Sequence, residues 1–327
     1  MKKIFYFSTF FLLIFTGCSS KQYFEPEDTY TYKGTTLDLS SAIIDLNSNG
    51  ATLEDKSFIS KEGILSNSKE NYKFLNFSDN TIISADSSAT IYLKNEQLDE
   101  SFSFDKNIIS ASKNKNLLAF GSIDNSITLY DIQTKKTIFK EYSKHSSVNN
   151  IKIANPIFLN TVVLYPTLDG KVIILDLKTN TVVKTINIDP SSDINNIIFL
   201  KEVNNTLIAA TSKKLFSFVN GKVNIKELDV QNVIIDKQNI YVATLDGEII
   251  KYDFFLTKID SKKFRFAKIN ALSFGTNLYA LESQGFLIRI SEDFKTVKIF
   301  DFSFDEKEKV IAIDNKIYFE DEYIIVK

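Results

Sequence analysis

One histidine and one cysteine stand in 327 residues, and that scarcity bounds the chemistry open to the chain. His145 lies in Tyr142-Ser143-Lys144-His145-Ser146-Ser147, a polar stretch, and no partner set of the kind a histidine-based hydrolase needs accompanies it. An exposed loop residue is expected. Zinc in an N/S site needs several such ligands, which His145 and Cys18 alone cannot supply. Asp45-Leu46-Asn47-Ser48-Asn49-Gly50 has the spaced oxygen donors and the glycine of a twelve-residue calcium loop, but its twelfth position is Lys56, where a bidentate glutamate is required. A hairpin turn is the expected structure. Carboxylate pairs for glycoside hydrolysis can come from distant elements, and no spacing points to particular ones. No catalytic, metal-binding or cofactor-binding residue is therefore assigned. Binding residues are better supported. Phe254-Phe255, Phe264-Arg265-Phe266 and Arg289 set the only two arginines among aromatic side chains in the last third of the chain. Aromatic residues with arginine are typical interface anchors, which makes Phe254, Phe255, Arg265 and Arg289 the candidate partner contacts. Phe300, Phe302 and Phe304, spaced by two, read instead as the inner side of a strand.

The elements that must carry these residues are short strands. In the stretch from Thr167 to Lys184, Asp169-Gly170 separates two β-branched runs, Thr161 to Tyr165 and Lys171 to Leu177, and an Asp-Gly pair accepts the positive φ of a tight hairpin. A second turn at Lys178-Thr179-Asn180 leads into a third strand from Thr181. This unit is an antiparallel meander that cannot bury both faces alone. Weaker copies recur. Aligned on the turn between second and third strands, they fall at Asn49-Gly50, Asp86-Ser87, Asp124-Asn125, Asp169-Gly170, Lys213-Lys214, Asp246-Gly247, Gln284-Gly285 and Asp314-Asn315, spaced by 37, 38, 45, 44, 33, 38 and 30 residues. That period is the one expected of four-stranded propeller blades. The fold expected is all-β, a single β-propeller of about eight four-stranded antiparallel blades, with seven as the alternative. Ala119, Ala210, Ala243 and Ala280 end the strand before the turn, which suits a strand near the crowded axis of a ring. Asp131, Asp176 and Asp253 precede the next turn, where a carboxylate accepts hydrogen bonds from turn amides, so a structural role is expected for them.

The N-terminus has the layout of a secretory leader. Lys2 and Lys3 precede an apolar run from Ile4 to Phe15, too short to span a membrane comfortably, and then come Thr16-Gly17-Cys18. The last three resemble the lipobox of bacterial lipoproteins, with Phe15 where leucine is usual. The resemblance implies cleavage after residue 17 and acylation of Cys18. Several acyl chains on one residue anchor a protein stably. Residues 18–28 then form a lipidated tether and residues 29–327 the propeller domain. Tyr23 and Phe24 have two readings, packing on the domain or meeting the membrane interface. Ser19, by resemblance to lipoproteins of enteric bacteria, favours the outer membrane, and the expected location is its periplasmic side. Past the tether, Tyr30, Tyr32, Leu37 and Leu39 alternate with polar residues and read as a strand that closes the ring by joining the last sheet.

The formal charge is -2 and becomes -4 once the two leader lysines are removed, with acids and bases interspersed, so no concentrated basic face marks a nucleic-acid partner. A monomeric propeller is expected. The pattern Thr-x-Asp-Gly-Lys-Val-Ile-x-Leu-Asp-x-Lys-Thr from Thr167 to Thr179 is similar to the repeat of pyrroloquinoline-quinone-type propellers. Together with the lipobox it resembles the BamB-type lipoproteins of the outer-membrane β-barrel assembly machinery. In that family the repeat usually ends in Gly and then a Trp that docks between blades; here Asn180 replaces the Gly, Val183 or Ile186 stands near the Trp position, and the chain has no Trp. The resemblance implies a non-enzymatic scaffold, bound to the membrane through its lipid, whose partner is a protein of the assembly machinery. A quinone-dependent dehydrogenase would want calcium ligands at the ring centre and adjacent cysteines, which are not visible. The alternative function is a propeller enzyme or small-ligand sensor that uses the central funnel.

Overall fold

The computed structural model describes residues 22–327, apart from 68, 147, 149, 151, 192–194, 303, 305 and 306. Its regular elements are all strands, arranged as eight sheets, and this settles the blade count at eight rather than seven. Six blades are simple four-stranded meanders made wholly from consecutive strands: blade 1 (43–65), blade 2 (73–103), blade 3 (108–142), blade 4 (157–187), blade 5 (199–227) and blade 6 (230–263). Blades 7 and 8 each take a strand from the N-terminus. Thr36–Asp38 pairs antiparallel with Glu322–Ile325 as the outermost strand of blade 8, which closes the ring between the two ends of the chain. Tyr30–Thr31 runs parallel to Val297–Asp301 as a fifth strand on blade 7. The single closing strand expected from the alternation is thus divided between two sheets.

Two registers differ from the sequence alignment. Asn49-Gly50 and Asp314-Asn315 lie between the first and second strands of blades 1 and 8, not between the second and third. In these blades the strands have three or four residues, so every turn carries the same Asn, Asp or Gly chemistry and turn residues alone do not tell one hairpin from the next. The alanines lie on the strand before the turn, as aligned, but that strand is not the innermost one. The first strand of each blade faces the axis, whereas Ala119, Ala210, Ala243 and Ala280 lie on second strands, fully buried between neighbouring sheets.

The core is a ring of layers, each shared by two blades. Between blades 3 and 4, Ala119, Ile127, Leu129, Val163, Tyr165, Ile173 and Leu175 interlock. Each such aliphatic side chain contributes about 2 kcal/mol on burial. The bulk that a tryptophan would provide comes from tyrosines. Tyr165 is wholly buried and its hydroxyl donates to the Thr128 carbonyl in the preceding blade at 3.0 Å. Ile186 packs into the layer between blades 4 and 5, while Val183 points to solvent. Phe302 is buried between blades 7 and 8, with Phe300 and Phe304 packed beside it; only Phe300 lies within the strand Val297–Asp301, and Phe302 and Phe304 follow it.

The turn carboxylates have the structural role expected. The Asp131 carboxylate accepts from the amides of Gln133 and Thr134, that of Asp176 from Lys178 and Thr179, and that of Asp253 from Phe255 and Thr257. Amide donors of this kind, led by Thr134 and Thr179 respectively, hold Asp131 and Asp176 below the usual carboxylate range. The calcium-like stretch is a hairpin. The Asn47 amide donates to the Gly50 carbonyl at 3.0 Å, the Asn49 amide to the Asn47 side chain at 2.8 Å, and Asp45 pairs with Lys73 at 2.9 Å.

Candidate functional site

First strands converging on the axis leave a channel of about 760 Å³. Its wall alternates aliphatic residues such as Ile157, Leu200, Val233 and Ile311 with polar ones such as Asn76, Ser112, Asn232 and Asn270. The upper face is defined here as the one carrying the turns between second and third strands and the connections between blades. From that face the connection between blades 3 and 4 dips into the channel. Asn155 of this connection is buried; its side-chain Oδ1 accepts from the Ala111 backbone amide in blade 3 at 2.8 Å and its side-chain Nδ2 donates to the Leu75 carbonyl in blade 2 at 3.2 Å. The Ile153 carbonyl accepts from the Ser48 hydroxyl of blade 1 at 2.6 Å. Lys152 reaches across to blade 6, donating to the Gln231 carbonyl at 3.0 Å and to the Asn232 side chain. One connection therefore ties together blades from opposite parts of the ring.

The acceptors exist because several first strands bulge. The ladder slips at Leu75, Gln231 and Asn270, where one residue stands unpaired against the second strand. Asparagines next to the bulges reach the first strand of the following blade: Asn76 donates to the Ala111 carbonyl at 2.9 Å, and Asn232 to the Ile269 carbonyl at 2.8 Å. Each links its blade to the next. Turn signals do not locate these residues.

Lys152 sits deep among these groups while keeping part of its surface open to the channel, and burial lowers its pKa from 10.5 to about 8. A lysine lowered in the folded state destabilises the fold wherever both states carry the proton, below about pH 8, and that penalty fades as the pH rises toward the unfolded value. Relative to a Lys152→Met variant, the native chain is expected to gain on the order of 1 kcal/mol between about pH 8 and pH 10, less than burial alone implies because two oxygens solvate the ammonium. Urea unfolding of both chains across that range is the check; parallel curves would show that the ammonium is not desolvated.

The four predicted contact residues lie apart. Phe254 is half-buried against the layer between blades 5 and 6, and Phe255, next to it in the last turn of blade 6, is exposed. Arg265 is exposed on the upper face in the connection to blade 7, its guanidinium 4.9 Å from the Phe266 ring centre. Arg289 is half-exposed on the third strand of blade 7, 5.5 Å from the Phe300 ring centre. His145 is exposed in the connection between blades 3 and 4. Cys18 lies outside the described residues. Among those residues no group of three or more His, Cys, Asp or Glu side chains is placed to hold a metal, and no helix is long and apolar enough to cross a membrane.

A feature the sequence reading missed lies on the rim. The outermost strands Thr181–Asn187, Lys222–Glu227 and Lys258–Lys263 of blades 4, 5 and 6 have no further strand beyond them among the described residues. They expose Val183, Val223, Ile225 and Ile259 on three consecutive blades. Lys184, Lys222, Lys226, Lys258, Lys262 and Lys263 flank them, with Glu227 and Asp260 as acids on the same strands and with Lys258 and Lys263 paired to Glu248 and Asp246. Alternation on an edge strand looks the same whether the outward side is bare or covered, so the sequence held no signal for this surface.

No protein-family profile matches the chain. It is similar to two plasminogen-binding proteins PgbB of Helicobacter pylori, 35% identical for strain J99 and 34% for strain 26695, each over an alignment of 230 residues that covers 66% of this chain. The chain spans about two fifths of the length of these curated relatives, 42% in each case. Among solved structures it resembles BamB from Moraxella catarrhalis, with a TM-score of 0.66 at 14% identity over 90% of this chain and 100% of that one. The WD40 domain of Sif2 superposes with a TM-score of 0.63 at 12% identity over 92% of this chain and 99% of that one, and the designed Ika8 protein with 0.61 at 13% over 90% and 98%. At such identities the likeness is one of fold, and the chain is an eight-bladed β-propeller built like BamB.

Proposed function

We propose that this protein is a non-enzymatic docking scaffold, held at a membrane surface by acylated Cys18 and binding protein partners in the periplasm. The observation that carries the reading is the rim of blades 4 to 6, where strand edges unpaired among the described residues and exposed valine and isoleucine side chains recur on three consecutive blades. Such an edge takes an added strand from an extended partner segment, with main-chain hydrogen bonds supplying affinity. The surrounding lysines discourage indiscriminate edge pairing and favour a segment with acidic side chains. The concrete version is a BamB-like part in outer-membrane β-barrel assembly, supported by the shared fold and by the lipobox-like Thr16-Gly17-Cys18. The relatives' name adds plasminogen as a second partner to test.

A photo-crosslinking residue at Val223 is expected to capture a defined partner in native membranes, a β-barrel assembly subunit on the concrete version, or purified plasminogen on the other. Ile225→Asp should lower that capture at least tenfold with unfolding unchanged. Equal yields from Val223 and from Ser101, an exposed edge position on blade 2, would remove the rim as the docking surface.

A further inference from the structure

Where the tether joins the fold, the structure places a patch that the docking rim does not use. Phe24 is driven into the upper edge of blades 6 and 7, with its ring edge-on to Phe264 at 6.1 Å and to Phe286 at 5.6 Å. Its neighbour Tyr23 stays 48% exposed. Beside it, the turn at Gly247 and the turn at Phe264 lock together, the Phe264 amide donating to the Gly247 carbonyl at 2.9 Å and the Ala267 amide to that of Phe264 at 3.0 Å. From these two turns Leu245, 60% exposed, and Phe266, 40% exposed, project on the upper face with Arg265 stacked on the Phe266 ring. Phe266 holds a φ of 67°, a conformation its neighbours must impose on a non-glycine residue. A single apolar residue at a loop tip needs no explanation, but three on adjoining loops do.

We infer that this upper corner of blades 6 and 7 rests on the lipid bilayer, with Tyr23, Leu245 and Phe266 at the interface and the Arg265 guanidinium at headgroup level. The inference rests on acylation of Cys18. Five residues lie between Cys18 and the buried Phe24, so the chain reaches at most about 20 Å between the acylated residue and this corner. Aromatic residues with a polar end favour the interface, and an apolar patch beside an acyl anchor adds a second contact to the first. The docking rim on blades 4 to 6 then faces sideways, clear of the lipid and open to a partner.

Because the chain contains no Trp, single tryptophans report without background. Phe266→Trp, Leu245→Trp and, as control, Val223→Trp chains would be expressed with their own leader, purified in detergent and reconstituted into phosphatidylethanolamine and phosphatidylglycerol vesicles carrying bromine on the acyl chains. The mass of the Cys18 peptide is read first, and an unmodified mass overturns both the anchoring and the orientation. With Cys18 acylated, emission from Phe266→Trp and Leu245→Trp is expected to shift to the blue and to be quenched at least twofold more than that from Val223→Trp. Equal quenching at the three sites, or none, overturns the orientation while leaving the anchor intact.

Discussion

Replacing Gly247 by alanine is expected to destabilise the protein by about 3 kcal/mol, from two separate costs. The first is conformational. Gly247 has a φ of 80°, and a side chain held in the left-handed region loses about 1 kcal/mol. The second is space. A Cβ there would be driven into the Phe264 carbonyl oxygen and would lie 2.8 Å from that of Ala267, and backbone atoms cannot swing aside as a side-chain end can. Overpacking of this kind costs about 1–3 kcal/mol. Gly221, with a φ of 76° and nothing within 4 Å of such a Cβ, isolates the first cost, so Gly221→Ala should lose only about 1 kcal/mol. Urea midpoints of the two variants separate the effects; equal losses would mean that the 264–267 turn yields freely. The same turns carry Leu245 and Phe266, so this variant should also loosen the corner assigned to the membrane.

Asn155→Ala is expected to cost about 2–4 kcal/mol, since the Ala111 amide and the Leu75 carbonyl both lose their partner in a buried setting. Asn155→Asp separates the two bonds. Its carboxylate can still accept from Ala111 but cannot donate to Leu75, and it brings a charge against a carbonyl oxygen, so its loss should be at least as large. Amide exchange at Ala111 should quicken in the alanine variant and stay slow in the aspartate one. If both variants unfold with the native midpoint, channel water replaces the asparagine at no cost, and the connection between blades 3 and 4 is a passenger in the channel rather than a brace.

What the sequence determined by itself is local. Asp169-Gly170 between two β-branched runs is enough to make a hairpin, because the positive φ of Gly170 and the alternation of side chains are properties of neighbouring residues. Repetition at a near-constant period then leaves stacking around an axis as the way to cover each sheet, so the all-β propeller was legible before any coordinates. The turn roles of Asp131, Asp176 and Asp253 were legible for the same reason. Where strands shrink to three or four residues, as at Asn49-Gly50 and Asp314-Asn315, local chemistry no longer distinguishes one turn from the next, and register is decided by packing across blades. Tertiary structure alone decided the rest. Asn155 meets Leu75 and Ala111, and Lys152 meets Asn232, across separations of 44 to 80 residues. Val183, Val223, Ile225 and Ile259 become one rim, and Phe254, Phe255, Arg265 and Arg289 are dispersed, only because eight blades fan outward from a common axis. Proximity of that kind follows from ring closure, and no sequence period encodes which loops a closed ring brings together.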